Sequence, residues 1–341
     1  MTTSTGRGRI PLLWVGCILW VLVVAACGDD AAPGTSGSGV PPTTDPVSAE
    51  ASARPVGEPG TAVVHEGGWS TPIRLGFNDD GWEDSPYLTR DGSALLFFYH
   101  PWPDLATSAE EVTERLVADP VRGEAEGLDG KLYVSRFPFV TKEVLPISDD
   151  TGPAFECCPY VASDGRLFYV SNRRTWEEDP EALPQIHLDG RALEVGGDPP
   201  PSNPHWCEAR DELWFDCPGD ADICVMRDAA VNDFAGPVEK APYPVNAADR
   251  EAVEDAQPFL TDDCETLYIS SSRGDPALER LEILRLERRG DRWSEPERFI
   301  SAPTPVAELS MTADGRRLAF AQVTWRDDGT PAIDIYWAER R

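Results

Sequence analysis

Hydrophobic and polar positions along this chain follow a unit that recurs with a period near 40–50 residues. The clearest copy is Pro159–Ser171, PYVASDGRLFYVS, in which a short segment, an Asp-Gly turn and an apolar strand follow one another. Further copies begin at Pro86, Pro204, Pro258 and Leu309. Two strands joined by an Asp-Gly turn predict a β-hairpin. Hairpins at this spacing predict the blades of a β-propeller.

The two ends of the repeat region predict how the ring closes. Trp69–Leu75 is similar to Trp293–Phe299. Because Trp293–Phe299 follows the third strand of a repeat, we predict that it forms the fourth, outermost strand of that blade. No inner strands precede Trp69, whereas the last repeat ends after Ala332–Trp337 without a fourth strand. We therefore expect the N-terminal strand to pair into the last blade and remove an exposed sheet edge. The predicted fold class is all-β, a five-bladed β-propeller, with six blades as the alternative.

Blade 1 is the irregular repeat, because the segment between Tyr99 and Lys131 is too long for a hairpin. Within it, Ser108–Glu111 forms a capping box that predicts a short helix to about Val117. The separation from Pro86 to Pro159 is too small for two full blades, so we read one blade with an insertion.

The N-terminus predicts export. Arg7 and Arg9 precede the uncharged run Ile10–Ala26, and small residues lead directly to Cys27. This pattern is typical of a secretory signal, which has a basic segment, an apolar segment and small residues before the cleavage site. The cysteine at that place resembles the lipobox of bacterial lipoproteins, which implies lipidation at Cys27. We expect a signal peptide over 1–26, a disordered tether rich in Gly, Ser and Pro over 27–61, and a propeller over 62–341. The chain would then be lipid-anchored to the cell membrane or outer membrane, with its folded domain outside the cytoplasm.

The acidic composition limits the partners. Asp and Glu number 60 against 30 Lys and Arg, which gives a formal net charge of −30. Nucleic acids and anionic membrane surfaces require basic patches, so we expect no nucleic-acid partner.

Six cysteines fall in the predicted propeller, and an exported protein favours disulfides over zinc ligands. Cys217 and Cys224 flank the connection between two strands of blade 3, so antiparallel pairing predicts a disulfide between them. Cys157, Cys158, Cys207 and Cys264 lie on the inner hairpins of blades 2, 3 and 4. Among their three pairings we prefer Cys158–Cys207.

Acidic residues recur just ahead of the predicted innermost strands. They are Glu83, Asp84, Glu156, Asp255 and Glu308, together with Glu254. Innermost strands line the central channel of a propeller, so these carboxylates are candidates for a Ca²⁺ or cationic-group site at one channel mouth. The alternative is that they cap turns or pair with arginines. We expect no cofactor, and Ca²⁺ is the candidate ion.

Catalytic motifs are not evident in the sequence. The four histidines show no metal-binding spacing, and no Gly-x-Ser-x-Gly elbow or phosphate-binding loop occurs. Trp82, Trp102 and Trp176 lie on predicted loops and are candidates for stacking on a sugar or peptide. We expect no enzyme activity; the alternative is a glycosidase-like site that uses carboxylates of the channel mouth.

The repeat also resembles a known family. The Pro-x-x-x-x-Asp-Gly segment, the triplet Asp334-Ile335-Tyr336 and the Trp-Ser-x-Pro segment are together similar to the WD40-like β-propeller repeat of TolB-type periplasmic proteins. The resemblance covers roughly Trp69–Trp337 and implies a scaffolding or binding role. We therefore expect a monomeric, non-catalytic binding or scaffolding lipoprotein of the cell envelope, with an envelope protein, a peptide or a glycan as its partner. The alternative is a carbohydrate-active propeller.

Overall fold

Five small antiparallel sheets form a closed ring in the structure, which is a computed structural model. It describes residues 54–79, 81–100, 130–148, 156–172, 184–193, 195, 201–218, 222–248, 253–274, 280–326 and 331–341. The innermost strand of each sheet contacts the innermost strands of the two neighbouring sheets, and the last of them contacts the first. The chain is therefore a five-bladed β-propeller, as its repeats predict.

The strands follow the blades in chain order. The segment before the first blade contributes β1 (Gly57–Pro59), β2 (Val63–Val64) and β3 (Ile73–Leu75). Blade 1 contains β4 (Trp82–Leu88), β5 (Ala94–His100), β6 (Lys131–Arg136) and β7 (Glu143–Val144). Blade 2 contains β8 (Glu156–Val161), β9 (Leu167–Ser171), β10 (Gln185–Leu188) and β11 (Arg191–Ala192). Blade 3 contains β12 (Ser202–Cys207), β13 (Glu212–Asp216), β14 (Ile223–Arg227) and β15 (Val238–Lys240). Blade 4 contains β16 (Asp255–Leu260), β17 (Thr266–Ser271), β18 (Glu282–Arg289), β19 (Arg292–Trp293) and β20 (Glu297–Ser301). Blade 5 contains β21 (Val306–Met311), β22 (Arg317–Trp325) and β23 (Pro331–Glu339).

The N-terminal strand closes the ring as predicted. In β3, Ile73 pairs with Trp337 and Arg74 pairs with Tyr336, antiparallel to β23. The structure also extends this closure, because β1 pairs outside β3 and β2 pairs with β20 of blade 4. The predicted end of the tether at residue 61 is therefore too late. Gly57–Pro59 lacks the apolar residues that would reveal a strand, because it pairs at an exposed sheet edge.

Each innermost strand carries a β-bulge at the same position. The register shifts between Asp84 and Tyr87 in blade 1, and an equivalent shift occurs in the innermost strand of every other blade. In four blades a proline follows the bulged residue; these are Pro86, Pro159, Pro204 and Pro258. Proline is tolerated there because an innermost strand has a free edge and a bulge already interrupts the ladder. The innermost strands thus begin before these prolines. The acidic residues expected ahead of the strands therefore lie within them, except Glu254, which directly precedes β16.

The hairpin turns explain why three repeats keep Asp-Gly. Asp91, for example, accepts hydrogen bonds from the backbone N–H of Ser93 and from the Thr89 hydroxyl, and Gly92 takes a positive φ of 71°. In blade 3 the left-handed position is taken by Asp211, and in blade 4 by Cys264. Asp and Asn tolerate this conformation better than most residues do, and cysteine is not one of these tolerant types.

Cys264 is part of a disulfide between neighbouring blades. It bonds to Cys207 at the end of β12, so the preferred pairing of Cys158 with Cys207 is wrong. Cys158 aligns with Asn203 at the bulge, which places Cys207 four residues, or about 13 Å, farther along the neighbouring strand. That distance exceeds the roughly 7 Å between α-carbons that a disulfide can span. Cys158 bonds instead to its neighbour Cys157.

Cys217 and Cys224 form a disulfide, the pairing that the sequence favours. The predicted helix from 108 to 117 lies outside the described residues, as does Cys27. No helix in the described part of the chain is long and apolar enough to cross a membrane.

Candidate functional site

The cavity at the centre of the ring is built from the same three positions of every innermost strand. It has an empty volume of about 380 Å³, part of which is open to solvent. We call it the channel cavity. Its lining consists of residues 85–87, 158–160, 203–205, 257–259 and 308–310. In four blades the three positions read as a polar residue or cysteine, a proline and a ring-bearing residue.

The first of the three positions forms a ring of five side chains, which we call the bulge ring. Its members are Ser85, Cys158, Asn203, Gln257 and Glu308, each with a positive φ between 49° and 58°. A positive φ is uncommon for residues other than glycine and is maintained here by the bulge. Because the same bulge is repeated around the axis, all five side chains line the cavity.

Glu308 is the centre of the hydrogen bonding in the bulge ring. Its carboxyl oxygens accept hydrogen bonds from the Ser85 backbone N–H at 2.7 Å and from the Ser85 hydroxyl at 3.1 Å. The Gln257 amide also donates to Glu308, at 3.0 Å. Glu308 therefore links blades 1, 4 and 5, and among the described lining residues it is the one carboxyl group.

A second carboxyl group lies beside Glu308. The Asp84 side chain is fully buried, its two oxygens receive no hydrogen bond from a donor group among the described residues, and its carboxyl group interacts with that of Glu308. Burial raises the pKa of both groups, and the charge of Asp84 further raises the pKa of Glu308 well above its ordinary value. Burial and the like charge of the neighbour both disfavour ionisation, so the structure disfavours a state in which both groups are charged.

The third position of the lining connects each blade to the next. The Tyr87 hydroxyl donates to the Val161 carbonyl at 2.6 Å, and the Tyr160 hydroxyl donates to the Trp206 carbonyl at 2.7 Å. His205 hydrogen-bonds the backbone of Leu260 in the same way.

At the closure of the ring, the Leu88 backbone N–H donates to the Ser310 hydroxyl at 2.8 Å. Phe259 occupies the corresponding place in blade 4 without a polar group, and its ring lies 4.8 Å from that of His205. Burial lowers the pKa of His205 to about 3, so its ring is neutral at physiological pH.

Asp216, which the sequence analysis does not single out, supports the bulge ring from blade 3. Its carboxylate accepts hydrogen bonds from the Asn203 amide at 2.7 Å, the Ser202 hydroxyl at 2.8 Å and the Gln257 backbone N–H at 2.6 Å. Burial raises its pKa to about 6. Asp216 therefore fixes two members of the bulge ring.

Glu83 does not join the other predicted acidic residues at the channel. It forms an ion pair with Lys142, which also pairs with Asp79 at 2.7 Å. The expectation that it belongs to a ring of carboxylates at the channel mouth is wrong. Asp84 on the same strand points to the opposite face because side chains alternate along a strand.

Glu156 and Asp255 likewise have partners away from the channel cavity, Glu156 in the segment that follows β7 of blade 1 and Asp255 in its own blade. Glu156 accepts a hydrogen bond from the Ser148 hydroxyl. Asp255 pairs with Arg273 at 2.8 Å and accepts a hydrogen bond from Ser271 at 2.7 Å. Of the five predicted acidic residues, the structure thus brings together Asp84 and Glu308. The alternative that such residues pair with arginines holds for Asp255, whereas Glu83 pairs with a lysine and Glu156 with a serine hydroxyl.

Among the described residues no group of three His, Cys, Asp or Glu side chains is arranged to hold a metal ion. The described residues therefore contain no group of three such ligands at the predicted Ca²⁺ site. The bulge ring instead offers hydrogen-bond donors and acceptors with little net charge.

Of the three tryptophan candidates, the structure describes Trp82. Trp82 is 4% exposed and does not line it, contrary to the expectation of a stacking surface. Trp102 and Trp176 lie outside the described residues.

Sequence reasoning missed Ser85, Asn203 and Gln257. The signal that could have found them is the residue immediately before each repeat proline, because the repeats align there. Those residues differ in type, so no single chemical motif marks them.

No protein-family model matches the chain, and no curated protein matches it. Among solved structures, one of a protein of unknown function from Dyadobacter fermentans is 10% identical, with a TM-score of 0.42, and the match covers 82% of this chain and 100% of that chain. A structure described as a glycoside hydrolase is 10% identical, with a TM-score of 0.44, and the match covers 83% of this chain and 92% of that chain. The periplasmic gluconolactonase of Pseudomonas aeruginosa is 13% identical, with a TM-score of 0.34, and the match covers 73% of this chain and 71% of that chain. Likenesses this distant assign no activity, and the chain is defined by its architecture, a five-bladed β-propeller.

Proposed function

We propose that this chain is a non-catalytic binding protein of the cell envelope, anchored by lipid at Cys27, whose channel cavity receives a narrow polar group from a protein or peptide partner. The observation that carries this proposal is the composition of the cavity lining. Five bulged strands supply one polar or sulfur-bearing side chain each, and among the described residues one carboxyl group, Glu308, faces the cavity.

The state of Glu308 favours binding over hydrolysis. Glycoside hydrolysis requires a pair of carboxyl groups about 5–10 Å apart on either side of the bond that is cleaved. Here the Asp84 carboxyl group is fully buried beside that of Glu308 and does not line the cavity. A substrate in the cavity would therefore meet one of the two carboxyl groups, and the pair fits a structural and binding role.

The walls of the cavity favour a peptide partner. Above the polar groups lie Pro86, Pro159, Pro204 and Pro258, with rings such as Tyr87 beside them. A wall of proline and aromatic rings around hydrogen-bonding groups suits a side chain that has an apolar stem and a polar end. Export with a lipid anchor would present this cavity to other envelope proteins.

Selection from a random-peptide display library tests the proposal. We expect peptides selected on the wild-type chain to lose affinity at least tenfold for Asn203→Phe, which fills the cavity from the bulge ring. Asn232→Phe places the same side chain at an exposed site that does not line the cavity and should leave affinity unchanged. Equal affinity of the two variants would contradict the proposal.

A panel of chromogenic glycosides tests the alternative, a carbohydrate-active propeller. We expect no turnover by the wild-type chain. Turnover that Glu308→Gln abolishes would instead assign this carboxyl group to catalysis.

A further inference from the structure

A second cavity lies between blades 3 and 4, away from the residues that line the channel cavity. It has a volume of about 200 Å³, below the range of roughly 300–1,000 Å³ usual for sites of drug-sized molecules, so it suits a small ligand. Blade 3 contributes Glu212, Trp214 and Arg227, and blade 4 contributes Arg288 and Trp293. We call it the inter-blade cavity.

Three arginines gather at this cavity in a chain whose formal net charge is −30. The lining contains three guanidinium groups, those of Arg210, Arg227 and Arg288, against the carboxylates of Glu212 and Asp291. Glu212 is shared, because its two oxygens pair with Arg227 at 2.6 Å and with Arg288 at 2.8 Å. One carboxylate thus serves two guanidinium groups within the lining, and Arg210 and Arg227 also pair with Glu265 at 3.0 Å and Glu239 at 3.7 Å, which are exposed carboxylates outside it.

The arginine deepest in the cavity is held rigidly. The Arg288 side chain is 5% exposed, and its Nε donates to the Cys264 carbonyl at 2.9 Å. Its guanidinium group also lies 4.4 Å from the centre of the Trp293 ring. Cys264 is bonded to Cys207 of blade 3, so the disulfide between the blades lies next to this site. A preorganised guanidinium group loses little entropy when an anion binds.

The cavity also has an aromatic wall. The Trp214 and Trp293 rings meet edge to face with centroids 5.9 Å apart, and the Trp214 indole N–H donates to Glu212 at 3.1 Å. Trp214 is fixed by this bond, whereas Trp293 is partly exposed. Guanidinium groups match the planar fork of a carboxylate, and an indole ring favours a flat apolar body beside it.

We propose that the inter-blade cavity binds a small organic carboxylate whose charged end meets Arg227 and Arg288 and whose flat body lies against Trp293. This site is independent of the channel cavity and of the function proposed for it.

Titration of the purified chain with benzoate tests the proposal, with the indole N–H resonances in ¹H–¹⁵N spectra as the readout. Trp293→Phe assigns the Trp293 signal. We expect benzoate to shift that signal in a saturable way, and benzamide, its uncharged analogue of the same shape, to bind at least about tenfold more weakly. Inorganic phosphate should also bind more weakly, because it has no flat body.

Arg227→Gln should weaken benzoate about tenfold, whereas Arg316→Gln removes an equal charge from an exposed turn of blade 5 and should change nothing. Arg288→Gln, at the other arginine assigned to the carboxylate, provides a second variant at the cavity should Arg227→Gln fail to fold. The proposal is overturned if benzoate produces no saturable shift, if benzamide or phosphate binds as tightly, or if the cavity variants bind like the wild type.

Discussion

The buried carboxyl groups of Asp84 and Glu308 interact across the boundary between blades 1 and 5, where the ring closes. A contact of this kind is stable when a proton is shared and is weakened when both groups ionise. The closure of the propeller therefore depends on a titratable pair as well as on the pairing of β3 with β23.

The first prediction concerns the pH dependence that this pair imposes. Both pKa values are raised in the folded chain, so the stabilisation is complete at acid pH and is lost as the pH rises through the raised values. Glu308→Gln keeps a donor for Asp84 and cannot ionise. We expect this variant to become more stable relative to the wild type as the pH rises from about 5 to about 8, so the difference between their free energies of unfolding should grow.

Urea denaturation at several pH values measures this difference. Glu297→Gln, at an exposed position of blade 4, serves as the control and should follow the wild-type curve. A difference between Glu308→Gln and wild type that stays constant with pH would show that the pair does not titrate in this range.

The second prediction concerns acid unfolding. His205 has a pKa of about 3 in the folded chain against an ordinary value of 6.5, so its stabilisation is present above about pH 6.5 and is lost as the pH falls toward 3. His205→Phe removes this loss, and Phe259 shows that the corresponding position of blade 4 accepts a phenyl ring. We expect the midpoint of acid unfolding to move to lower pH.

Tryptophan fluorescence during acid titration gives the midpoint. At about pH 8 the variant should be slightly less stable, by about 1 kcal/mol, because the hydrogen bond to the Leu260 backbone is lost. His65→Gln, at an exposed histidine, should leave the midpoint in place. A midpoint for His205→Phe equal to that of the wild type would contradict the assignment of a buried neutral imidazole.

These residues also mark the limit of prediction from sequence. The blade count, the closing strand and the Cys217–Cys224 disulfide follow from local patterns such as turns, alternation and loop length. The contact of Asp84 with Glu308 joins residues 224 positions apart, and it depends on a bulge that turns Glu308 toward the axis. Cys207 and Cys264 were both visible in the sequence, but their pairing requires the alignment of neighbouring blades at their turns.

The third prediction ranks two disulfides. The Cys207–Cys264 bond spans 57 residues and the Cys217–Cys224 bond spans 7. On the chain-entropy account the longer loop contributes about 4 kcal/mol and the shorter about 2.5 kcal/mol. Replacing both cysteines of a pair by serine should therefore cost more for Cys207 and Cys264.

Urea denaturation of the two double variants, under conditions that keep the remaining disulfides oxidised, gives the ranking. Each double variant is the control for the other, since both remove two buried sulfur atoms. Equal costs, or a larger cost for the short loop, would refute the ranking and indicate that contacts at each site outweigh the loop entropy.

The fourth prediction tests the closure itself. Leu75 lies in β3, is fully buried and belongs to a core cluster with Leu88 of blade 1 and Ile335 and Trp337 of blade 5. Leu75→Ala should cost about 2–5 kcal/mol in the free energy of unfolding, as expected for truncation of a buried leucine. Val63 lies on β2, which pairs with β20 of blade 4, and its side chain is 53% exposed. Val63→Ala should therefore cost less than about 0.5 kcal/mol. Because the two residues are only 12 positions apart in the same N-terminal segment, equal costs would mean that this segment does not pack against blade 5, and the ring would then have to close in another way.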